Sequence, residues 1–166
     1  MELTDIQKAI LEPFIEEMIE SLESMAGLKA RAGDPFPDKV EAFRFKGYAI
    51  ASRTYGKIEG VILMHNYIET AIAIGNNVRL HILGEETEKT EIDEDMQDAL
   101  SEWGNTVVGR ATQSLHEKNL GMKFDPPYFI LNTEDMGLML KNVVQIISAP
   151  IHIEDIGRFY FNYLLY

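Results

Sequence analysis

Asp98, Glu102, Asn105 and Gly109 follow one another at steps of four, three and four residues. An advance of 100° per residue puts all four in one narrow band of a helix. Leu100, Trp103, Val107, Ala111 and Leu115 fall opposite and form an apolar stripe. The band therefore offers a carboxylate and a carboxamide one turn apart, facing solvent or another molecule. A neutral amide donates and accepts, so Asn105 can orient water beside an anion without adding negative charge. Glu102 can pair with a cation on a partner. An exposed acid needs no reason beyond solubility, but Asn105 and Gly109 fit that purpose less well. Asparagine is a mediocre helix former, and a mid-helix glycine costs about 1 kcal/mol relative to alanine. Gly104 adds a second such cost, while Gly109 on the polar band leaves room for another molecule's backbone.

Other chemistries find little support. The chain has no cysteine, which removes disulfides, thiolate metal sites and cysteine nucleophiles. His65, His81, His116 and His152 lack any short metal-ligand spacing. His116 shares the helical angle of Asp98 about five turns on, and reads as a surface histidine at the edge of the band. Gly27, Gly33 and Pro35 are not followed by the Lys-Ser/Thr of a phosphate-binding loop. Ser101, Ser114 and Ser148 lack the glycines of a nucleophile elbow. A net charge of −12, with Lys and Arg scattered, argues against nucleic acid and anionic lipid as partners. No segment approaches the roughly 18 apolar residues of a membrane span, and the start has no signal-peptide pattern. The expectation is a soluble, cytoplasmic protein.

With 166 residues, 46% of them hydrophobic, and no linker-like tract, residues 1–166 read as one compact unit. Ile6, Ile10, Phe14, Met18, Leu22 and Met25 predict a long helix over 3–27, with Pro13 as a kink or early break and Gly27 as its stop. Residues 28–39 read as a loop. Strands are expected at 42–54 and 57–64, and a shorter helix at 66–78. The second long helix spans 94–120, ended by Gly121. A strand at 127–132, a helical turn at 134–140 and strands at 142–153 and 157–166 follow. The aromatic last segment, Phe159 to Tyr166, suits either a central strand or an edge that pairs with a second copy. The two halves, about 1–80 and 90–166, share an order of long helix, Pro-containing loop and strands joined at a Gly turn. That order suggests an internal duplication. The class is α+β (α/β), with two long helices on a mainly antiparallel sheet.

The run Asp98-x3-Glu102-x2-Asn105, with Pro127 after 21 more residues, resembles the signature of the CheC/CheX/FliY chemotaxis phosphatases. Residues 14–27 are similar to the first helix of that family. The resemblance implies the family's pseudo-duplicated fold. It also implies a phosphatase acting on the phospho-aspartate of a CheY-like receiver domain, with Mg²⁺ in the receiver's own acidic pocket and no cofactor on this chain. Glu102 and Asn105 take the catalytic positions. Glu102 docks the receiver's phosphate-site lysine and Asn105 places the in-line water. Asp98 and Gly109 are expected to contact the partner, although Asp98 also suits a role near the helix start. No asparagine precedes Asn66, so the first long helix has no amide to offer; one site per chain is the CheX arrangement, which implies a homodimer. The alternative is a receiver-binding or flagellar-switch adaptor module of the same fold without turnover.

Overall fold

The computed structural model describes residues 2–120 and 122–166. Helix α1 (Asp5–Ala26) is set at both ends by local chemistry. Thr4 Oγ1 accepts from Gln7 N (3.2 Å) while Thr4 N donates to Gln7 Oε1 (3.0 Å), a reciprocal cap that satisfies two free donors. Gly27, at φ +64°, makes the left-handed turn that closes the other end. Pro13, expected as a kink or break, lies buried inside an unbroken helix.

The segment expected as a loop at 28–39 holds two three-residue strands, β1 (Ala30–Ala32) and β2 (Phe36–Asp38), followed by a 3₁₀ turn at Val40–Ala42. The strand expected from residue 42 begins only at Gly47: β3 (Gly47–Tyr55) and β4 (Gly60–Tyr67) form a hairpin. Helix α2 (Ile68–Leu83) runs five residues beyond the expected end and stops at Gly84, φ +68°. Helix α3 (Glu94–Glu117) is followed by Asn119 at φ +57°. Gly121, the expected stop, lies outside the described residues. Then come β5 (Lys123–Phe124), β6 (Tyr128–Ile130), α4 (Thr133–Leu140), β7 (Gln145–Ile153) and β8 (Gly157–Leu165).

The eight strands among the described residues join one antiparallel sheet, ordered β1-β7-β8-β4-β3-β5, with β2 also on β7 and β6 also on β3. The aromatic strand β8 is therefore central, between β7 and β4, and forms no edge for a second copy. Strand alternation sends Tyr48, Ile50, Ile62, Met64, Phe159 and Phe161 to one face, where α1, α2 and α3 cover them. Ala49, Ala51, Val61 and Leu63 point to the other face, where Met136, Met139 and Leu140 of α4 pack on them.

That second face carries a directed chain of buried polar groups. His65 Nε2 accepts from Lys46 N (2.9 Å), so the proton sits on Nδ1 and is donated to Asn162 Oδ1 (3.1 Å). Asn162 Nδ2 donates to Ser148 Oγ (2.8 Å), which donates to Asp38 Oδ2 (3.2 Å). The rings of Phe43 and Phe45 stack on the imidazole at 5.0 and 5.6 Å. Burial pulls the His65 pKa down to about 4; the Asn162 bond opposes this and the Lys46 charge reinforces it. The unfolded chain, with an ordinary histidine, takes up the proton first as pH falls. The stability due to a neutral His65 is thus complete above about pH 6.5 and is lost on the way down to about pH 4. Urea melts should show His65 steepening the fall of unfolding free energy in that window, by up to about 1.4 kcal/mol per pH unit. In His65→Asn that part of the slope should vanish; an unaltered slope would show that His65 titrates like a surface histidine.

Candidate active site

Helix α3 begins at Asp93, whose side chain accepts from Met96 N at 3.0 Å. The Lys89 ammonium, 2.6 Å from that carboxylate, holds the Asp93 pKa below its ordinary value, helped by the Met96 N–H. Glu94 and Asp95 follow in the first turn, where acids suit the helix dipole.

The buried side of α3 fixes how the helix is rotated. Trp103 is fully buried, and its Nε1 donates to Ser21 Oγ of α1 at 2.8 Å. The Ser21 hydroxyl donates in turn to Met18 O at 3.1 Å. The indole meets Phe159 of β8 edge-on, with ring centroids 5.8 Å apart. Gly104 is no idle cost to the helix: a Cβ there would stand 3.1 Å from Ile50 Cγ2, so its absence lets α3 lie close on β3. Leu100, Val107, Ala111 and Leu115 are buried as the stripe predicts.

With that side anchored, Asp98, Glu102, Asn105 and Gly109 all emerge on the exposed face of an unbroken helix. None of the three polar side chains has a hydrogen bond or ion pair among the described residues. Beyond the helix's own backbone ladder, the Glu102 carbonyl also accepts from Thr106 Oγ1 at 2.8 Å. Among the described residues nothing outside its own helix stands within 4 Å of where a Gly109 Cβ would be, so no packing there calls for a glycine. Asp98 lies in the second turn, past the first turn where the dipole acts, and lines a groove with Glu102. His116 is exposed in the last turn. Among the described residues no three His, Asp or Glu side chains are grouped to hold a metal ion.

Pro127 sits half-buried between β5 and β6, on the far side of α3 in the chain. Its turn is pinned to β3 through Asp125: Asp125 N donates to Arg53 O (2.9 Å), Ser52 Oγ donates to Asp125 O (2.6 Å), and Tyr55 OH donates to Asp125 Oδ2 (2.8 Å).

Sequence reasoning missed three contributors. Ser21 stands three residues after Met18 within the apolar side of α1, and a lone hydroxyl in such a stripe was the available signal of a buried polar partner. Ile82 and Leu83, which wall the groove beside Glu102, fell beyond the expected end of α2.

The family model for the chemotaxis phosphatase CheX matches residues 48–151, well over half of the chain. No match was found among curated proteins. Among solved structures, the fold resembles that of chemotaxis protein CheX from Desulfovibrio desulfuricans, at 21% identity and a TM-score of 0.72 over 95% of this chain and 99% of that one. It resembles CheX in the CheX–CheY–BeF₃–Mg²⁺ complex from Borrelia burgdorferi, at 22% identity and 0.69 over 94% and 97%. Thermotoga maritima FliY shares it at 18% identity and 0.69 over 99% and 92%. At these identities the structures speak to the fold, an α+β arrangement of helices on an antiparallel sheet. By the family match, which runs from the start of β3 into β7 and takes in the whole of α3, the chain belongs to the CheX family of chemotaxis phosphatases.

Proposed function

We propose that the protein hydrolyses the phospho-aspartate of a CheY-type receiver domain, with Glu102 and Asn105 entering the receiver's phosphorylated pocket. The observation that carries this reading is the pair itself: two unbonded side chains, exposed together on one face of a helix whose other face is locked. An acyl phosphate is already activated, so the enzyme has mainly to position water and tolerate charge. Asn105 holds water in line with the leaving carboxylate. The water oxygen bonds to phosphorus, the bond from phosphorus to the aspartate oxygen breaks, and the water's proton leaves on inorganic phosphate. A carboxylate in place of Asn105 would be repelled by the phosphoryl oxygens. Glu102 pairs with the receiver's lysine and sets the approach of the helix. Mg²⁺ belongs to the receiver in this scheme. The Borrelia CheX, seen with CheY, BeF₃ and Mg²⁺, shares the fold and lends support.

The reading also takes the protein as cytoplasmic and homodimeric; exposed apolar side chains away from the site, such as Leu138 and Val144, are available to a second copy, and sedimentation tests for it. The direct test of activity is phosphate loss from a purified, phosphorylated CheY-type receiver with Mg²⁺, with and without the protein. Acceleration supports the reading. Binding with an unchanged decay rate would replace it with the adaptor alternative. Gly109→Ala separates a docking glycine from an idle one. Because a methyl fits without contact, the variant should gain about 0.5–1 kcal/mol of stability. If a receiver backbone lies against Gly109, the same variant should bind it several-fold more weakly.

A further inference from the structure

Between α2 and α3 lies a groove of about 350 Å³. Val78, Ile82 and Leu83 form one wall; Asp98, Ala99 and Glu102 form the other. Val78 and Ala99 make its buried floor, while Ile82 and Leu83 are 51% and 61% exposed. The two helices lie close because Gly75 faces Met96: a Cβ at Gly75 would collide with the Met96 sulfur. The connection that follows α2 is tied down at its side. Arg79 binds the Glu85 carboxylate and donates to Thr87 O at 2.9 Å. Asn76 exchanges two hydrogen bonds of 2.9 Å with the backbone of Lys89. The groove is thus a fixed feature whose walls include no residue of that connection.

Two aliphatic side chains left in water beside two unpaired carboxylates match a partner surface of one kind: a cation with an apolar side chain next to it. A second copy of this chain fits poorly. A two-fold contact would set the same patch against itself and bring Asp98 and Glu102 against their own copies, on a chain already at −12. We infer that this groove is the second half of the receiver-docking surface, in which Ile82 and Leu83 seat an apolar side chain adjoining the lysine that Glu102 binds. This rests on the phosphatase reading and extends it to what selects the receiver. The apolar contact excludes water from around the Glu102–lysine pair, which strengthens that pair and makes the fit of one neighbouring side chain decisive for affinity.

The test is binding of a beryllofluoride- and Mg²⁺-loaded CheY-type receiver, alongside turnover of the same receiver in its phosphorylated form. The double variant Ile82→Ser/Leu83→Ser should bind at least tenfold more weakly and raise KM in proportion, with kcat within about twofold of wild type. Leu131→Ser, which alters an exposed aliphatic side chain outside the groove, should leave both constants alone. An unchanged melting temperature in the double variant confirms that the fold is intact. Leu83→Ala, a milder truncation, should give a smaller loss in the same direction. Affinity within twofold of wild type in the folded double variant would overturn the inference. If wild type binds the receiver without hydrolysing it and the double variant binds weakly, the docking surface stands and the phosphatase reading fails. If wild type neither binds nor hydrolyses the receiver, both fail.

Discussion

Asn105→Ala is expected to return the decay of a phosphorylated receiver almost to its unassisted rate. The accelerated component should fall about 100-fold or more, equivalent to about 2.7 kcal/mol of transition-state stabilisation. The reason is geometric. The Asn105 amide bonds to nothing among the described residues and stands on a helix anchored at Trp103, so its donor and acceptor are free for a water at a set position. Alanine leaves the helix and its docking face intact, so affinity for the beryllofluoride-loaded receiver should stay within about threefold. Asn105→Asp keeps the size and shape of the side chain but turns the neutral amide into an anion facing phosphoryl oxygens, and should be no more active than alanine. Glu102→Ala should differ from both in that receiver affinity falls about tenfold or more, because it removes the docking carboxylate. Stopped-flow phosphate release on wild type and the three variants separates these outcomes. Full activity in Asn105→Ala would place the chemistry elsewhere.

Trp103→Ala should be the most damaging single change to the fold. It empties the site of the largest fully buried side chain, between α1, α3 and β8, and leaves the Ser21 hydroxyl without the indole donor. A cavity of that kind costs about 3–5 kcal/mol, a large part of the roughly 5–15 kcal/mol of a typical domain. The melting temperature should fall by about 10 °C or more. Trp103→Phe keeps most of the ring but loses the Nε1–H, and should cost about 1–2 kcal/mol. Urea and thermal unfolding measure both. A loss below 1 kcal/mol for Trp103→Ala would mean that α3 is not anchored at this residue. Since Glu102 and Asn105 flank Trp103, the alanine variant should also lose activity at temperatures where it is still folded, as the helix gains freedom to rotate.

The long helices were legible because their buried faces repeat over many turns, and Gly27 ends α1 as its position suggests. The band of Asp98, Glu102, Asn105 and Gly109 was legible for the same reason: its exposure is the complement of the apolar stripe. The short strands were not. A three-residue strand such as β1 or β2 has too few positions to show alternation, and exists only because β7 pairs with it more than 100 residues later. The helical pattern of α2 weakens at Asn76-Asn77, a pair with low helix propensity. In the fold Asn77 Nδ2 donates to Ala73 O at 2.8 Å and Asn76 bonds to the backbone of Lys89. Those bonds satisfy the two amides inside the helix, which local sequence cannot reveal. Cutting α2 short also removed Ile82 and Leu83 from view, so the groove beside the site was lost with them. Gly104 read as a defect because its justification, the methyl of Ile50, lies on a strand more than 50 residues earlier.

The position of β8 has a consequence for how the protein matures. It alone links the flank built on β7 to the flank built on β4 and β3. During synthesis these two sheet fragments stay unconnected until residues 157–165 leave the ribosome, and α1 and α3 wait without a complete floor. A chain that lacks β8 can hold every residue of the candidate site and still lack the surface that presents it.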